Sequence, residues 1–231
     1  MDDGLDMRPS HGNALLKFAA VRRYIEISNT AMQGKWIRRN YVDLQAGPGK
    51  NRIGRRIVFG TPLIALTANF PATGFYFNEL DKSNFDALSK RVNASDLKNT
   101  THLFNDDAND IVTTVCRDLE RQSGLNIAFV DPEGLEIEWS TIERLARVKR
   151  MDLIINFSTS GIRRAEGAGY YEVIDAFLGR MNGDQYGGLH RVKFGCRIWF
   201  SFTGNAWLYW LPNNYQKCWR VFKLYFSQNL T

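Results

Sequence analysis

The sequence predicts an α/β fold in which a mostly parallel sheet carries helices on both faces. Three observations support this prediction. From about residue 40 onward, short apolar segments alternate with segments of helical periodicity. Gly, Pro, Asn and Asp residues lie at the junctions between them. The length of 231 residues is enough for one well-packed domain. Strands that alternate with helices form parallel sheets, because each helix carries the chain back along the sheet.

The first predicted element is a helix over 14–36, where apolar residues recur at helical spacing and basic residues such as Lys17 lie among them. Such charges usually face solvent, and the alternative is a basic face against phosphates. Residues 1–13 are acidic and polar, and we expect a flexible leader there. Residues 14–231 are then expected to form a single domain.

Seven strands and five further helices follow from the same patterns. The strands are predicted at 40–45, 74–80, 101–105, 125–132, 151–157, 196–202 and 218–226. The helices are predicted at 61–70, 81–92, 108–121, 137–148 and 170–179. The segment 50–70 lengthens the connection after the first strand, and we interpret it as an insertion. Ligands of such sheets bind outside the carboxyl ends of the strands, so the residues that follow each strand are the candidates for a site.

A glycine-containing loop follows the first strand. Asp43 ends the strand, and Ala46, Gly47 and Gly49 lie in the loop DLQAGPG. The glycines allow the backbone to approach a ligand closely, and the carboxylate can accept hydrogen bonds from an ammonium group. The alternative is an ordinary strand-ending turn. The loop lacks a full G-x-G-x-x-G pattern and a following GK[ST], which argues against a common dinucleotide site and against a P-loop.

Acidic residues also follow the second and third strands. Glu79 could accept both ribose hydroxyls of a nucleoside, and Asp107, which precedes Ala108, could accept a hydrogen bond from an adenine amine. The alternative for each region is helix capping, by Asp81 after Glu79 and by Asp106 or Asp107 itself.

The fourth and fifth strands are followed by further polar loops. Asp131 and Pro132 follow the fourth strand, where a polar residue before proline is typical of loops that receive a target amine in amino-methyltransferases. Pro132 disfavours helix at Asp131, and a strand-terminating turn is the alternative. After the fifth strand, Arg163 and Arg164 could contact a substrate, or could belong to a solvated loop.

The positive charge of the chain is concentrated at one end. The chain has 30 basic and 24 acidic residues, an excess of six. The C-terminal region 185–231 contains no Asp or Glu and six basic residues, among them Arg191, Lys193 and Arg197. Aromatic residues, including four tryptophans, lie between them. Stacking aromatics in a basic groove are typical of single-stranded nucleic acid binding, so nucleic acid is the expected partner; a buried sheet core would also explain the tryptophans.

Several segments together resemble a known family, the three-Cys-motif partner proteins (TcmP). They are DLQAGPG, GTPLIAL, NELD, DAN, FVDPEGL and DLIINF, and the resemblance covers about residues 14–180. It implies a Rossmann-like class I methyltransferase fold with an S-adenosylmethionine pocket. The family's name also implies a genomic partner with three cysteines, similar to radical-SAM proteins. The chain departs from the family at Gln45, where Phe is usual, and at Glu133, where an aromatic residue is expected after Asp-Pro.

We therefore expect an S-adenosylmethionine-dependent methyltransferase that acts on or binds nucleic acid. Asp43, Gly47 and Gly49 would hold the methionine part, and Asp131 would position or deprotonate the acceptor. The alternatives are a cofactor-binding subunit of a radical-SAM-type protein without transfer of its own, and a nucleic-acid binding module with a vestigial pocket. The three cysteines lack metal-site spacing. No long apolar run or signal peptide is evident, so we expect a cytoplasmic protein with no membrane association.

Overall fold

The structure is a computed structural model of the chain. It describes residues 2–132, 134–156, 165, 167–170 and 172, and the backbone alone of 157, 197–202 and 206–210. In the described residues the strands are β1 (Arg8–Pro9), β2 (Arg39–Asp43), β3 (Lys50–Ile53), β4 (Arg56–Phe59), β5 (Gly74–Asn78), β6 (Thr101–Phe104), β7 (Leu125–Val130), β8 (Met151–Phe157), β9 (Arg197–Phe202) and β10 (Ala206–Trp210). The helices are α1 (Ala14–Met32), α2 (Thr61–Leu66), α3 (Lys82–Asn93), α4 (Ala108–Glu120) and α5 (Trp139–Ala146), with a 3₁₀ turn at Lys98–Thr100.

Seven of these strands form one sheet, in the order β10-β9-β8-β7-β2-β5-β6. Each neighbouring pair from β9 to β6 is parallel, and only β10 at the edge is antiparallel. The parallel strands therefore follow the order of a doubly wound Rossmann-like sheet, 3-2-1-4-5-6. The predicted α/β class with a mostly parallel sheet is confirmed at this level.

Alternate residues of the central strands pack into two separate cores, one on each face of the sheet. Helices α4 and α5 cover one face, against residues such as Val42, Ala128 and Leu153. Helices α1, α2 and α3 cover the other, against residues such as Tyr41 and Ile127. Because successive residues of a strand point to opposite faces, strands that are apolar at every position require helices on both sides. The predicted three-layer arrangement is confirmed.

The segment interpreted as an insertion contains a β-hairpin that the sequence analysis did not predict. Strands β3 and β4 pair antiparallel around a two-residue loop. Gly54 has φ 58° at the first central position of this loop, where a type II′ turn needs glycine. Strand β1 pairs parallel with β3, so the hairpin and the N-terminal segment form a small three-stranded sheet.

The N-terminal segment has a defined place against the domain, in contrast to the flexible leader expected over 1–13. Asp2 pairs with Arg52, and Asp3 pairs with Lys50 and Arg91. These partners lie 47 or more residues along the chain, so local sequence could not indicate them.

Most element boundaries lie within a few residues of their predictions. The helix predicted over 14–36 ends at Met32, and the helix predicted over 61–70 ends at Leu66. Strand β9 is close to the prediction at 196–202, and β10 was not predicted. The strand predicted at 218–226 and nearly all of the helix predicted at 170–179 lie outside the described residues.

Candidate functional site at the carboxyl edge of the sheet

The site lies where the strand order of the sheet reverses. Strand β2 pairs with β5 on one side and with β7 on the other, and the chain proceeds outward from β2 in both directions. Ligands of open α/β sheets bind in the crevice at this switch point. Asp43 ends β2, and Asp131 follows β7 directly, so both predicted residues flank the crevice.

The glycine loop has the backbone conformation that the sequence suggested. Gly47 has φ 65° and Gly49 has φ 88°, which are left-handed values that residues with a Cβ rarely adopt. A Cβ on Gly49 would lie 3.3 Å from both Leu63 and Leu88. Ala46 is buried, and its N–H donates to the carbonyl of Asn78 at 2.9 Å. The loop is therefore fixed against β5.

Glu79 is a buried carboxylate beside this loop. Its Oε2 accepts the N–H of Gly47 at 2.7 Å, and its Oε1 accepts the N–H of Asp81 at 3.0 Å. The guanidinium of Arg8 lies 3.7 Å from the same Oε2. Glu79 thus joins the glycine loop to the start of α3, which Asp81 caps through Asn84. The capping role considered for Asp81 is confirmed, and it is separate from that of Glu79.

Asp43 is fully buried and strongly perturbed. Its Oδ2 accepts a hydrogen bond from Thr61 at 2.6 Å, and its Oδ1 accepts the N–H of Gln45 at 3.2 Å. Burial raises the pKa of Asp43 to about 7, and the charges of Asp131 and Glu79 act in the same direction, whereas the two hydrogen bonds oppose the rise. A proton or a cationic ligand group would relieve this clustered negative charge.

Asp131 is held by residues from two other elements. Its Oδ2 accepts a hydrogen bond from Lys17 of α1, with which it forms an ion pair, and its Oδ1 accepts one from Asn156 of β8 at 2.7 Å. The next residue, Pro132, is buried. Both carboxylate oxygens are therefore oriented, as a residue that positions a substrate requires.

Asp107 caps α4, which was the alternative to adenine binding in the sequence analysis. Its Oδ1 accepts the N–H of Asn109 at 2.7 Å, and Ala108 begins the helix in a buried position. The side chain of Asn78 ties this loop to the glycine loop, because its Nδ2 donates to the carbonyls of Leu44 and Asp106 at 3.0 and 2.9 Å. The loops after β2, β5 and β6 thus form one hydrogen-bonded unit.

Arg91 connects the N-terminal segment to the glycine loop. Its guanidinium donates to both carboxylate oxygens of Asp3, at 2.9 and 2.8 Å, and to the carbonyl of Asp6 at 2.8 Å. It also donates to the carbonyl of Pro48. Hydrogen bonds from Arg91 and Lys50 hold the pKa of Asp3 well below its usual range. A Cβ on Gly47 would meet the guanidinium of Arg8 at 3.4 Å, so the same segment also supplies a cation at the glycine loop.

Three residues at the site were not assigned to it from the sequence. Lys17 was recognised only as a basic residue of the first helix, Arg8 fell in the expected leader, and Asn156 fell within the predicted strand at 151–157. Of the residues expected to contact nucleic acid, Arg197 has only its backbone described, in β9. The other four, Arg163, Arg164, Arg191 and Lys193, lie outside the described residues.

The described residues contain no group of three or more His, Cys, Asp or Glu side chains arranged to hold a metal ion. They also contain no helix that is both long and apolar enough to cross a membrane.

No family model matches the chain, and no curated protein matches it. Among solved structures, it is similar to the Legionella pneumophila str. Philadelphia 1 protein LPL1258, of the family DUF519, with 11% identity and a TM-score of 0.47. The match covers 70% of this chain and 74% of that one. A similarity at this level says nothing about what the chain binds.

Proposed function

We propose that the chain is an S-adenosylmethionine-dependent methyltransferase that acts on nucleic acid. The observation that supports this most directly is the arrangement of four successive strand ends along one edge of the sheet. The glycine loop, Glu79, Asp107 and Asp131 follow β2, β5, β6 and β7 in turn. The formal net charge of +6 favours a polyanionic substrate.

The chemistry of these residues fits the proposed cofactor. A carboxylate offers about four acceptor positions, and two backbone N–H groups use two of those on Glu79. This leaves capacity for the two hydroxyls of a ribose. Asp107 would accept a hydrogen bond from the adenine amine. Asp43, surrounded by negative charge, would pair with the ammonium group. Gly47 and Gly49 would allow the methionine part of the cofactor to approach the backbone closely. Arg8 would lie beside the cofactor's carboxylate.

The cofactor would supply an activated methyl group, and the chain would supply position. In methyl transfer the acceptor must lie in line with the breaking bond, so orientation contributes much of the acceleration. Asp131 would accept a hydrogen bond from an acceptor amine and would take its proton as positive charge develops. Lys17 and Asn156 would keep the carboxylate in the required orientation.

The first test is calorimetric titration with S-adenosylmethionine and S-adenosylhomocysteine. We expect saturable binding to the unmodified chain, and a loss of at least about tenfold in affinity for Glu79→Gln, because bonds to a charged group contribute about 1.5–3 kcal/mol. Glu143→Gln is the matched control, since Glu143 lies on α5 in an i,i+4 pair with Arg147. Equal affinities in both variants would contradict the assignment of Glu79.

A second arm of this test separates catalysis from binding. Asp131→Asn should bind the cofactor normally but lose transfer of labelled methyl groups to RNA or DNA by about 100-fold or more. Cofactor binding without transfer by the unmodified chain would favour the partner-subunit alternative. No cofactor binding by the unmodified chain would contradict the proposal and favour a nucleic-acid module with a vestigial pocket.

A further inference from the structure

The β3–β4 hairpin begins and ends at the glycine loop. Its root is closed by a hydrogen bond of 2.8 Å from the N–H of Gly60 to the carbonyl of Gly49. A Cβ on Gly60 would lie 2.8 Å from the side-chain nitrogen of Asn51, so the root is tightly packed. Four residues separate the root from the tip on each strand, and the hairpin therefore extends about 13 Å from the loop.

All charged residues of this hairpin are basic, and part of their positive charge is already neutralised. Residues 50–59 contain four basic residues and no acidic one. Two of the four, Lys50 and Arg52, form ion pairs with Asp3 and Asp2 of the N-terminal segment.

The other two basic residues, Arg55 and Arg56, are exposed at the tip. Among the described residues, neither forms an ion pair or a side-chain hydrogen bond. Both guanidinium groups are therefore open to an external anion.

We propose that the β3–β4 hairpin is a nucleic-acid docking element, in which Arg55 and Arg56 bind phosphates of the substrate backbone. This inference rests on the proposed function, because it assigns part of the substrate contact for the same site. Guanidinium groups pair well with phosphate, and two-stranded β-ribbons are an established shape for nucleic-acid recognition. The reach of about 13 Å equals the rise of about four base pairs.

The position of the hairpin gives it a specific role. A nucleotide at Asp131 would occupy the switch point, while the hairpin tip would contact the backbone several nucleotides away. Phosphate contacts of this kind fix orientation and carry no sequence information. The hairpin would thus raise affinity for any sequence and leave the choice of acceptor to the crevice.

The test compares two double variants of the full chain that each remove two positive charges. The tip variant, Arg55→Ala with Arg56→Ala, removes the two positive charges at the tip of the hairpin. Arg121→Ala with Arg147→Ala removes two exposed arginines that follow α4 and α5 at the opposite edge of the sheet. Fluorescence anisotropy measures binding of labelled single-stranded RNA, single-stranded DNA and duplex DNA between low and moderate salt.

The tip variant should bind the preferred nucleic acid about 10- to 30-fold more weakly. The slope of log affinity against log salt should fall by about 1.4 for a single strand or about 1.8 for duplex DNA, the values for two lost phosphate contacts. Compared with the tip variant, the control variant should bind the nucleic acid more tightly and should show a steeper slope of log affinity against log salt. Thermal midpoint and S-adenosylmethionine affinity should be equal in the tip variant and the unmodified chain.

The outcomes separate this inference from the proposed function. A tip variant that binds all three oligonucleotides as well as the control variant does would overturn the hairpin assignment, whatever the cofactor result. An unmodified chain that binds none of them would overturn it as well. If the tip variant loses nucleic acid binding but the unmodified chain binds no S-adenosylmethionine, the docking element stands and the methyltransferase proposal fails.

Discussion

Asp43 ends β2 at the centre of the sheet, and its carboxyl group is fully buried beside Thr61. A buried carboxylate without a cationic partner is costly, so burial favours the protonated form. The pKa of about 7 places the titration of Asp43 within the pH range in which most proteins function. A ligand ammonium group at this point would replace the proton, because it would supply the missing positive charge.

Folding stability should therefore depend on pH through Asp43. Its folded pKa of about 7 exceeds the reference value of 3.8, so between about pH 4 and pH 7 the folded state binds more protons than the unfolded state. Stability should fall as pH rises through this window, by at most about 4 kcal/mol. Asp43→Asn should remove this fall. Urea denaturation of both proteins at several pH values checks it, and parallel profiles would contradict it.

Asp43, Glu79 and Asp131 could be assigned to one edge from the sequence, because each follows a recognisable strand and parallel strands end at a common edge. Their partners could not. Lys17 lies 114 residues from Asp131 in the chain, and a lysine on an amphipathic helix is usually solvated. The pairing of Lys17 with Asp131 depends on how α1 packs across the sheet, and no local sequence pattern indicates this packing.

The N-terminal segment, residues 2–10, is held in part by a buried guanidinium. Arg91 is 8% exposed and is paired with Asp3. Asp3→Asn would leave this charge without its carboxylate, and we expect a loss of about 1–3 kcal/mol in unfolding free energy. It should also speed proteolytic cleavage of residues 2–10, because the ion pairs no longer hold the segment.

Asp2→Asn is the matched control for this prediction. Asp2 lies next in sequence, but it pairs with Arg52, and both side chains are about half exposed. An exposed pair contributes little, so we expect a clearly smaller change than for Asp3→Asn. Chemical denaturation and limited proteolysis measure both variants. If the two variants were equally stable and equally resistant to cleavage, the role of Arg91 as an anchor would be refuted.

Most strands of the main sheet and its helices were predictable, whereas β10 and the hairpin were not. Strands such as β7 are short apolar runs followed by helical periodicity, and this alternation indicates their type. In the hairpin, arginines and a lysine stand among the apolar residues, and β3 and β4 have only four residues each. The I-G-R-R turn is a weaker hairpin signal than Asn-Gly, so the segment resembles a loop.

In the described region, the two hydrophobic cores share the strands of the sheet that lies between them. Strands β2, β5, β7 and β8 contribute residues to both faces. Loss of packing on either face therefore weakens the same sheet, and we expect the described region to unfold cooperatively.

Matched substitutions on the two faces test this expectation. Ile25 on α1 and Ile142 on α5 are each fully buried, and truncation to alanine should cost about 2–5 kcal/mol at either site. Ile37→Ala is the control, because Ile37 is 92% exposed and should change stability by about 0.5 kcal/mol or less. Far-UV and near-UV circular dichroism should report one shared midpoint in each variant. Separate midpoints would show that the faces unfold independently.

The overall architecture followed from the sequence because alternating strands and helices allow few topologies. The same reasoning did not extend to residues 2–13, whose position depends on charges far away in the chain. Asp3 was expected to be in a leader, yet it pairs with Lys50 and Arg91. Long-range ion pairs have no periodic signature in a sequence.

The hydrogen bond between Gly60 and Gly49 gives the hairpin and the glycine loop a common backbone junction. A ligand on the glycine loop and a polyanion on Arg55 and Arg56 would therefore act on one connected stretch of backbone. The two binding events would then be thermodynamically linked. Such linkage is reciprocal: under the proposed function, the factor by which S-adenosylmethionine improves the affinity for nucleic acid would equal the factor by which nucleic acid improves the affinity for S-adenosylmethionine.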